Sequence, residues 1–266
     1  MTRVYIYSNM PTMSSQNKSK INFIMKNWAK NTVSVYSWLN EHGVDRKLAQ
    51  KYLISGWLER VGRGAFKKTG EEVDWTGAIY AIQTQMKKTV HPAGKTALQL
   101  LGRAQYIPAV FKERKVVLFG LQNEKLPAWF KKHNWGVRLR YVMSGLFGDS
   151  TNLGMTSYDI GNYEINISAA ERAALEFCYD VPVKESFKEL DEITSSLTTL
   201  RPHLVQKLLE ECSSVKAKRL FMYLAEKHEH TWVKKIYMAK VDLGKGKRAF
   251  CKNGRYDPKY KIVVPK

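Results

Sequence analysis

The sequence has few cysteines and no long apolar run, and these two absences exclude several classes of protein. Its three cysteines, Cys178, Cys212 and Cys251, are odd in number and far apart, so they form neither a disulfide framework nor a CxxC metal motif. No apolar run approaches the roughly 18 residues that a membrane span needs. Residues 1–17 lack the basic-then-apolar order of a signal peptide, which indicates a cytoplasmic protein without a membrane partner.

Acidic residues are also scarce relative to basic ones. The 266 residues include 44 Lys or Arg and 24 Asp or Glu, which gives a formal net charge of +20. The most basic segment, residues 232–266, contains eleven Lys or Arg and two Asp or Glu. This excess of positive charge indicates a polyanionic partner, and nucleic acid is favoured over a membrane. A hydrophobic content of 44% is nevertheless sufficient for a folded core.

Residues 18–72 are predicted to form a winged helix-turn-helix. Apolar residues between Ile21 and Trp28 recur at helical spacing, a short second helix follows, and Asp45 is a good N-cap for a third helix. Strands at 57–61 and 65–68 then flank a Gly-Arg-Gly turn. Three helices followed by a basic hairpin are the order of a winged helix-turn-helix, in which the third helix enters the major groove of DNA.

The outward-facing residues of the third helix and the hairpin are the candidate DNA ligands. Arg46 and Gln50 lie one turn apart, and bidentate Arg–guanine and Gln–adenine pairs are common ways of reading bases. The basic side chains of the hairpin are expected to neutralise phosphates. The alternatives are a helical domain with an ordinary basic surface and a protein-docking winged helix. The predicted DNA-binding residues are Arg46, Lys47, Gln50, Lys51, Arg60, Arg63, Lys67 and Lys68.

A second basic surface is predicted near the C-terminus. Three basic residues and one tyrosine fall at i, i+3, i+7 and i+11 of a helix predicted over 215–227. The glycine-rich segment 243–248 lacks the spacing of a phosphate-binding loop and is predicted to be a basic hairpin turn. This surface is expected to face nucleic acid or an acidic partner, with a merely solvated helix face as the alternative. Its candidate residues are Lys216, Arg219, Tyr223, Lys227, Lys245, Lys247 and Arg248.

The rest of the chain predicts an α+β fold. Ser168 and Glu171 have the spacing of a capping box and are expected to open a helix over 169–177. The strands and helices do not alternate regularly, so no parallel sheet is expected. The other predicted helices cover 75–86, 187–197, 202–211 and 215–227, and the predicted strands cover 115–119, 137–141, 163–167 and parts of 232–266.

No catalytic, cofactor or metal site is predicted. His228 and His230 have no further Cys or His at ligand spacing. A metal-dependent nuclease needs converging carboxylates, and the candidates lie largely where a solvated helix face would place them. A nuclease targeted by a winged helix remains the alternative to a non-enzymatic DNA-binding protein, and an RNA- or protein-binding adaptor is a third option. The candidate carboxylates are Asp180, Glu185, Glu189 and Asp191, and the expected solvated helix face comprises Glu185, Glu189 and Glu192.

Several segments, in order along nearly the whole chain, resemble AbiEi-family antitoxins. They are LISGWLERVGRGAF at 53–66, HPAGKTALQLLG at 91–102, SVKAKRLF at 214–221, DLGKGKR at 242–248 and YKIVVP at 260–265. Ala65 and Phe66 depart from the β-branched residue and tyrosine that the family often has, which bears on packing of the wing. The first segment is common among winged helices, whereas the ordered set is considerably more specific.

The resemblance implies an antitoxin that is also a transcriptional autorepressor. In this family a winged helix binds inverted repeats in double-stranded promoter DNA, and the C-terminal domain counteracts a nucleotidyltransferase-like toxin and assists cooperative DNA binding. Such type IV systems act in phage defence by abortive infection, and antitoxin and toxin need not form a stable complex. The expected organisation is a flexible arm at 1–17, a winged helix-turn-helix at 18–72 and a C-terminal antitoxin domain at 73–266.

Overall fold

The computed structural model describes residues 15–103, 115–148 and 150–266. Helices and short strands alternate irregularly along these residues. This mixture confirms the predicted α+β class. The chain divides into two units. Unit 1 comprises residues 15–87, Leu126–Trp135 and Ile160–Tyr163 among those described. Unit 2 comprises the described residues of Lys88–Lys125, Gly136–Asp159 and Glu164–Lys266. No helix in the described ranges is long and apolar enough to cross a membrane.

The first part of unit 1 contains three helices and a three-stranded sheet. In chain order these are α1 (Ser15–Asn27), β1 (Ser34–Val35), α2 (Tyr36–Glu41), α3 (Arg46–Ile54), β2 (Leu58–Gly62) and β3 (Ala65–Lys68). The strand order is β1-β3-β2, and both pairings are antiparallel. This is the element order that the sequence predicts for a winged helix-turn-helix.

The helices of this part pack on a shared core. Ile21, Ile24 and Trp28 are buried, as their helical spacing predicts, and they pack with Leu39 and Tyr52. Since α1 begins at Ser15, residues 15–17 of the predicted arm are helical, and residues 1–14 lie outside the described residues. The predicted cap of α3 is confirmed, because the Asp45 carboxylate accepts a hydrogen bond from the backbone N–H of Leu48 at 2.7 Å.

Two further helices, α4 (Trp75–Thr84) and α6 (Ala128–Lys132), complete unit 1. Asp74 caps α4 by accepting from the backbone N–H of Thr76 at 2.8 Å. The hydroxyl groups of Thr76 and Tyr163 are 2.7 Å apart, and the Tyr163 ring lies 5.3 Å from that of Tyr80. These contacts join residues that are far apart in sequence.

Unit 2 contains two small sheets in its first half. Their strands are β4 (His91–Pro92), β5 (Lys115–Gly120), β6 (Arg138–Met143), β7 (Met155–Asp159) and β8 (Glu164–Ser168). The orders are β4-β5-β6 and β7-β8. The expectation of no parallel sheet is wrong, because β5 and β6 pair in parallel. Their connection holds one short helix rather than a long amphipathic one, so the sequence lacks the usual sign of a parallel pair.

Five helices form most of the core of unit 2. They are α5 (Gly94–Leu100), α7 (Ala170–Asp180), α8 (Phe187–Ser195), α9 (Pro202–Glu211) and α10 (Val215–Lys227). The predicted bounds of α9 and α10 are confirmed. Phe177 and Phe221 are fully buried in the core that these helices share with the C-terminal strands.

The predicted capping box at the start of α7 is wrong. The helix starts at Ala170 and has no side-chain cap. The hydroxyl of Ser168 instead donates to Glu176 at 2.7 Å, and Glu171 accepts from Arg201 at 2.9 Å. Both residues are therefore engaged by partners beyond the first turn of the helix, which local spacing does not reveal.

The C-terminal segment is less strand-like than predicted. It contains two 3₁₀ turns, Thr231–Lys235 and Met238–Lys240, before three short strands. The strands are β9 (Arg248–Ala249), β10 (Arg255–Asp257) and β11 (Ile262–Val264), in the order β10-β11-β9. The pairing of β9 with β11 is parallel, and that of β10 with β11 is antiparallel.

Candidate nucleic-acid interface and a second basic surface

The outer face of α3 is polar, basic and open to solvent. Its inner side chains Leu48, Ala49 and Tyr52 are buried in the core of unit 1. Arg46 and Gln50, which are one turn apart, are exposed on the other face, and so are their neighbours Lys47 and Lys51. All four sequence-predicted residues of this helix are thus available to a ligand.

Arg46 is held above an aromatic ring. Its guanidinium carbon lies 5.5 Å from the centre of the Tyr36 ring on α2. A cation over an aromatic face is attracted by the ring, so this contact limits the orientations of the guanidinium. Arg46 therefore reaches solvent from a partly fixed position, which lowers the ordering cost of binding.

The hairpin of β2 and β3, which we call the wing, presents two more exposed arginines. Arg60 lies on β2, with its guanidinium 5.9 Å from the centre of the Phe66 ring, and Arg63 lies in the turn between β2 and β3. Both are exposed. Gly64 permits the turn because its φ of +76° is in the left-handed region that side chains rarely adopt. The hairpin thus projects Arg63 at its tip.

Lys67 is a weaker candidate than these arginines. Its ammonium lies 3.0 Å from the Glu59 carboxylate and donates to the backbone carbonyl of Glu71 at 3.0 Å. The hydrogen bond from Lys67 lowers the pKa of Glu59, so this carboxylate keeps its negative charge. Part of the positive charge of Lys67 is therefore already offset within the wing.

Lys68 is not available as a phosphate ligand, and its prediction is corrected. The side chain is buried, and its ammonium donates to the backbone carbonyl of Trp28 at 2.7 Å. It also lies 3.4 Å from the Glu71 carboxylate and 5.9 Å from the centre of the Trp28 ring. Lys68 therefore joins the wing to α1 rather than facing DNA.

The predicted basic row on α10 does not form an exposed surface. Arg219 is only 2% exposed, and its guanidinium donates to the backbone carbonyls of Leu243, Gly244 and Gly246 at 2.7, 2.9 and 2.5 Å. The role predicted for Arg219 as a surface ligand is therefore wrong. Helical spacing placed it correctly among the basic residues of α10, but its partners lie more than twenty residues further along the chain.

The other members of this row are also engaged. Tyr223 is buried, and its hydroxyl accepts from Arg255 at 3.1 Å. Lys227 pairs with Asp191 at 2.5 Å. Lys216 is half-buried and donates to the carbonyl of Tyr179 at 3.1 Å. Burial lowers the pKa of Lys216 from its usual value. The prediction that these residues form an open basic row is corrected.

The glycine-rich loop after α10 keeps its predicted exposure. Lys245, Lys247 and Arg248 are all exposed. The ammonium of Lys247 lies 5.1 Å from the centre of the Tyr256 ring, which is 47% exposed on β10. Arg255 and Tyr256 were missed by sequence reasoning. Their signal was a short alternating stretch after Gly254 within the most basic part of the chain.

The carboxylates considered for catalysis have basic partners. Asp180 forms two hydrogen bonds with the Arg140 guanidinium at 2.5 and 2.6 Å. Glu185 pairs with Lys115 at 2.5 Å, and Glu189 pairs with Lys95. Glu192 lies 4.0 Å from Lys188. The hydrogen bonds with Asp180 raise the pKa of the Arg140 guanidinium, so this pair remains charged.

The histidines considered as metal ligands make protein hydrogen bonds instead. His228 lies 2.8 Å from the Asp191 carboxylate, and His230 lies 2.7 Å from the carbonyl of Thr194. Among the described residues, no group of three or more His, Cys, Asp or Glu side chains is arranged to hold a metal ion. Both histidines therefore link the residues that follow α10 to α8.

Unit 2 contains a buried cluster of charged side chains around Glu176. Glu176 is fully buried and accepts from Arg172 at 2.8 Å, from the hydroxyl of Ser168 at 2.7 Å and from the backbone N–H of Gly94 at 3.0 Å. Burial alone would raise the pKa of Glu176, but His91 and Arg172 outweigh it and lower the pKa to about 2. This carboxylate is a structural charge, since its oxygens are directed at groups of the protein itself.

Comparison with known proteins gives two family matches. Residues 113–265 match the family described as "Transcriptional regulator, AbiEi antitoxin, Type IV TA system". Residues 17–109 match "Transcriptional regulator, AbiEi antitoxin N-terminal domain". Together the matches cover nearly the whole chain and confirm the resemblance that the sequence segments indicate. No curated protein matches the chain.

A solved structure shares the fold. The crystal structure of the RV2827C protein from Mycobacterium tuberculosis is similar with a TM-score of 0.59 and 14% sequence identity. The similarity covers 93% of this chain and 91% of that one. At this level of identity the comparison shows the fold alone.

Proposed function

We propose, from the premise that this chain belongs to the AbiEi family of type IV toxin–antitoxin transcriptional regulators, that it represses its own operon and counteracts a nucleotidyltransferase-like toxin. In this proposal unit 1 binds inverted repeats in the promoter, and unit 2 provides the antitoxin activity. The protein acts in the cytoplasm without a cofactor, as part of phage defence by abortive infection.

The observation that carries the DNA-binding part is the exposed face of α3 beside an arginine-bearing wing. Arg46 and Gln50 are exposed one turn apart on a helix whose opposite face is buried. Arginine pairs with guanine and glutamine with adenine through two hydrogen bonds each, so this pair has the chemistry of base reading. Arg60 and Arg63 supply charge for the flanking phosphates. Lys47 and Lys51 extend the same charge along α3.

Inverted repeats require two copies of unit 1 on the promoter. Two copies of a helix-turn-helix bind half-sites whose centres are one helical turn, about 34–36 Å, or a multiple of it apart. An electrophoretic mobility shift with the protein's own promoter, at about 50 and 200 mM salt, tests this assignment. We expect two shifted species on the intact promoter and weaker binding at high salt, because phosphate contacts release counterions. Equal affinity for the promoter and for scrambled DNA of the same length contradicts the proposal.

The antitoxin part assigns toxin neutralisation to unit 2. A fragment that lacks residues 1–72, the predicted arm and winged helix-turn-helix, would test this assignment poorly. The deletion removes only part of unit 1, which continues to Lys87 and includes Leu126–Trp135 and Ile160–Tyr163. The full chain with Arg46, Gln50 and Arg63 changed to Ala is a sharper probe, since these side chains are exposed. We expect this variant to rescue cells from the cognate toxin while failing to repress a promoter reporter. Loss of rescue in a variant that remains folded shows that antitoxicity depends on unit 1.

The exposed loop residues are the remaining candidates for the antitoxin surface. Lys245, Lys247 and Arg248 are accessible, whereas Arg219 and Tyr223 are buried. A growth assay with these three loop residues changed to Ala, at matched protein levels, tests them. Full rescue by that variant places the antitoxin surface elsewhere in unit 2.

The nuclease alternative has less support. Its candidate carboxylates Asp180 and Glu185 are paired with Arg140 and Lys115, and the family is one of transcriptional regulators. Metal-dependent cleavage requires carboxylates that are free to bind the ion. We therefore propose that the protein has no catalytic activity.

A further inference from the structure

One surface of unit 2 combines exposed cations with an exposed aromatic ring. Tyr256 pairs with Val263 of β11, which on its other side pairs with Ala249 of β9. Directly paired residues share one face of a sheet, so these three side chains lie together, opposite the buried Ile262. We call the exposed side chains around this ring the Tyr256 surface, defined as Lys245, Lys247 and Tyr256.

One cation of this surface lies close to the ring, and the other belongs to the same loop. Lys247 places its ammonium 5.1 Å from the centre of the Tyr256 ring. Arg248 and Arg255 pair with Ile262 and Val264, so they lie on the opposite face of the sheet, where Arg255 donates to the Tyr223 hydroxyl at 3.1 Å. The nearby acids Asp242 and Asp257 are directed at backbone N–H groups, those of Gly244 at 2.7 Å and of Tyr260 at 2.8 Å. Neither is paired with a cation of the surface by a described contact.

Arg219 fixes the loop that carries part of this surface. Its guanidinium donates to three of the four carbonyl groups of the segment 243–246, and it is only 2% exposed. The loop also packs closely on α10, because a Cβ added to Gly244 would lie 2.9 Å from a methyl group of Val215. A buried arginine that satisfies several carbonyls makes a rigid platform, since each broken contact would leave a buried donor unsatisfied. Arg219 is therefore a positioning residue and does not itself contact a ligand.

We infer that the Tyr256 surface binds single-stranded nucleic acid, with the cations contacting phosphates and the Tyr256 ring stacking on an unpaired base. Cations alone suit a duplex equally well, because the duplex offers its phosphates without exposing a base face. An aromatic ring among cations adds a contact that an unpaired base can accept and a base stacked within a duplex cannot. An acidic protein is the alternative partner of this surface, and it is an outcome of the test. The inference does not depend on operator binding by unit 1.

The test measures binding by fluorescence anisotropy in a background that removes the other basic surface. The full chain carrying Arg46→Ala, Arg60→Ala and Arg63→Ala is titrated with a labelled single strand of about 15 nucleotides, as RNA and as DNA, and with the corresponding duplex. In this background Tyr256→Leu is expected to weaken single-strand binding about fivefold or more, while duplex binding changes less than twofold. Because Tyr256 is nearly half exposed, this variant is expected to fold.

Charge variants separate this surface from general electrostatic attraction. The loop variant, in which Lys245 and Lys247 are replaced by Ala, is expected to weaken binding of every probe and to flatten its salt dependence. The matched control replaces Lys184 and Lys207, two exposed lysines elsewhere in unit 2, and is expected to change affinity less than twofold. Arg219→Lys keeps the charge but not the fork of donors, so it is expected to reproduce the loss of the loop variant, with a thermal melt to verify folding.

Three results overturn the inference. Single strands that fail to bind the background protein leave an acidic protein as the partner of this surface. Equal losses on single strands and duplex with Tyr256→Leu, or no loss on either, remove the role of the ring. A control variant that loses as much as the loop variant shows that the attraction is not local. If Arg219→Lys does not fold, the Tyr256→Leu and loop variants still decide the result.

Discussion

Arg172 donates through Nε to the Glu176 carboxylate at 2.8 Å, one turn later on α7, and neither side chain has appreciable contact with solvent. Ion pairs at this spacing on an exposed helix contribute only a few tenths of a kcal/mol. Here the pair is buried, and Glu176 also accepts hydrogen bonds from the Ser168 hydroxyl and from the first backbone N–H group of α5. Removing one partner therefore leaves an uncompensated charge in the core.

We predict that Glu176→Gln destabilises the protein by about 3 kcal/mol or more, because Arg172 then remains charged and unpaired. For a chain of this size each kcal/mol lowers Tm by roughly 2–4 °C. Differential scanning calorimetry measures the change. Glu192→Gln is the control, since Glu192 is exposed and 4.0 Å from its partner Lys188, and it is expected to change stability by about 0.5 kcal/mol or less. Similar melting of both variants refutes the structural role of Glu176.

The same carboxylate predicts a loss of stability in acid. The pKa of Glu176 is lowered from 4.5 to about 2 in the folded protein, so the unfolded chain takes up its proton first. The stabilisation is complete above pH 4.5 and declines as the pH falls toward 2. Denaturant unfolding at several pH values in this window is expected to show a shallower pH dependence in Glu176→Gln than in the unaltered protein. Parallel curves contradict the assignment.

Arg46→Ala is predicted to weaken binding to the operator by about 1–3 kcal/mol and binding to random DNA by less. The reason is that Arg46 is exposed on α3 in reach of base edges, with Tyr36 restricting its orientation. Quantitative mobility shifts on both DNAs measure the difference. Lys26→Ala, an exposed lysine on α1, serves as the control. Equal losses on both DNAs place Arg46 among the phosphate contacts instead.

Arg63 and Lys68 are predicted to differ although both belong to the predicted wing surface. Arg63→Ala is expected to reduce the slope of log affinity against log salt by about one and to leave Tm unchanged, because it removes one exposed phosphate ligand. Lys68→Ala is expected to lower Tm, because it removes the buried donor to the Trp28 carbonyl. The folded fraction of that variant is expected to keep the original salt slope. Binding and melting measured on the same samples separate the two outcomes.

The nuclease alternative predicts that the protein cleaves nucleic acid in the presence of metal ions, and we predict that it does not. We expect supercoiled plasmid, linear duplex and RNA to remain intact with Mg²⁺ or Mn²⁺, because Asp180 and Glu185 are occupied by Arg140 and Lys115. Gel electrophoresis after prolonged incubation is the measurement. Cleavage that disappears with Asp180→Asn or Glu185→Gln establishes a nuclease.

Local signals in the sequence predicted most of the elements. Pro202 at the first position of α9 and Ser214 as the cap of α10 fix where those helices begin, so their bounds were predictable. The exposed face of α3 followed from the spacing of Leu48, Ala49 and Tyr52 for the same reason. These features depend on residues within one or two turns of each other.

Features that depend on distant partners were not predictable in this way. Helical spacing assigns Arg219 to a basic row, yet its carbonyl partners begin at Leu243. Lys68 has the position of a wing residue, but its partner Trp28 is forty residues earlier. A single sequence gives no sign of such pairs, because a lysine or arginine that will be buried is chemically the same as one that will remain exposed.

Unit 1 also sets a condition on synthesis of the protein. Tyr163, which bonds to Thr76 and packs on Tyr80, is the last residue of this unit, and the ribosome must translate past it before those contacts can form. At about 5–20 residues per second this takes roughly 10–30 s from initiation. A nascent chain that stops before residue 160 contains all of α3 and the wing but cannot complete the unit that supports them. Messages broken in their first half therefore yield no complete unit 1.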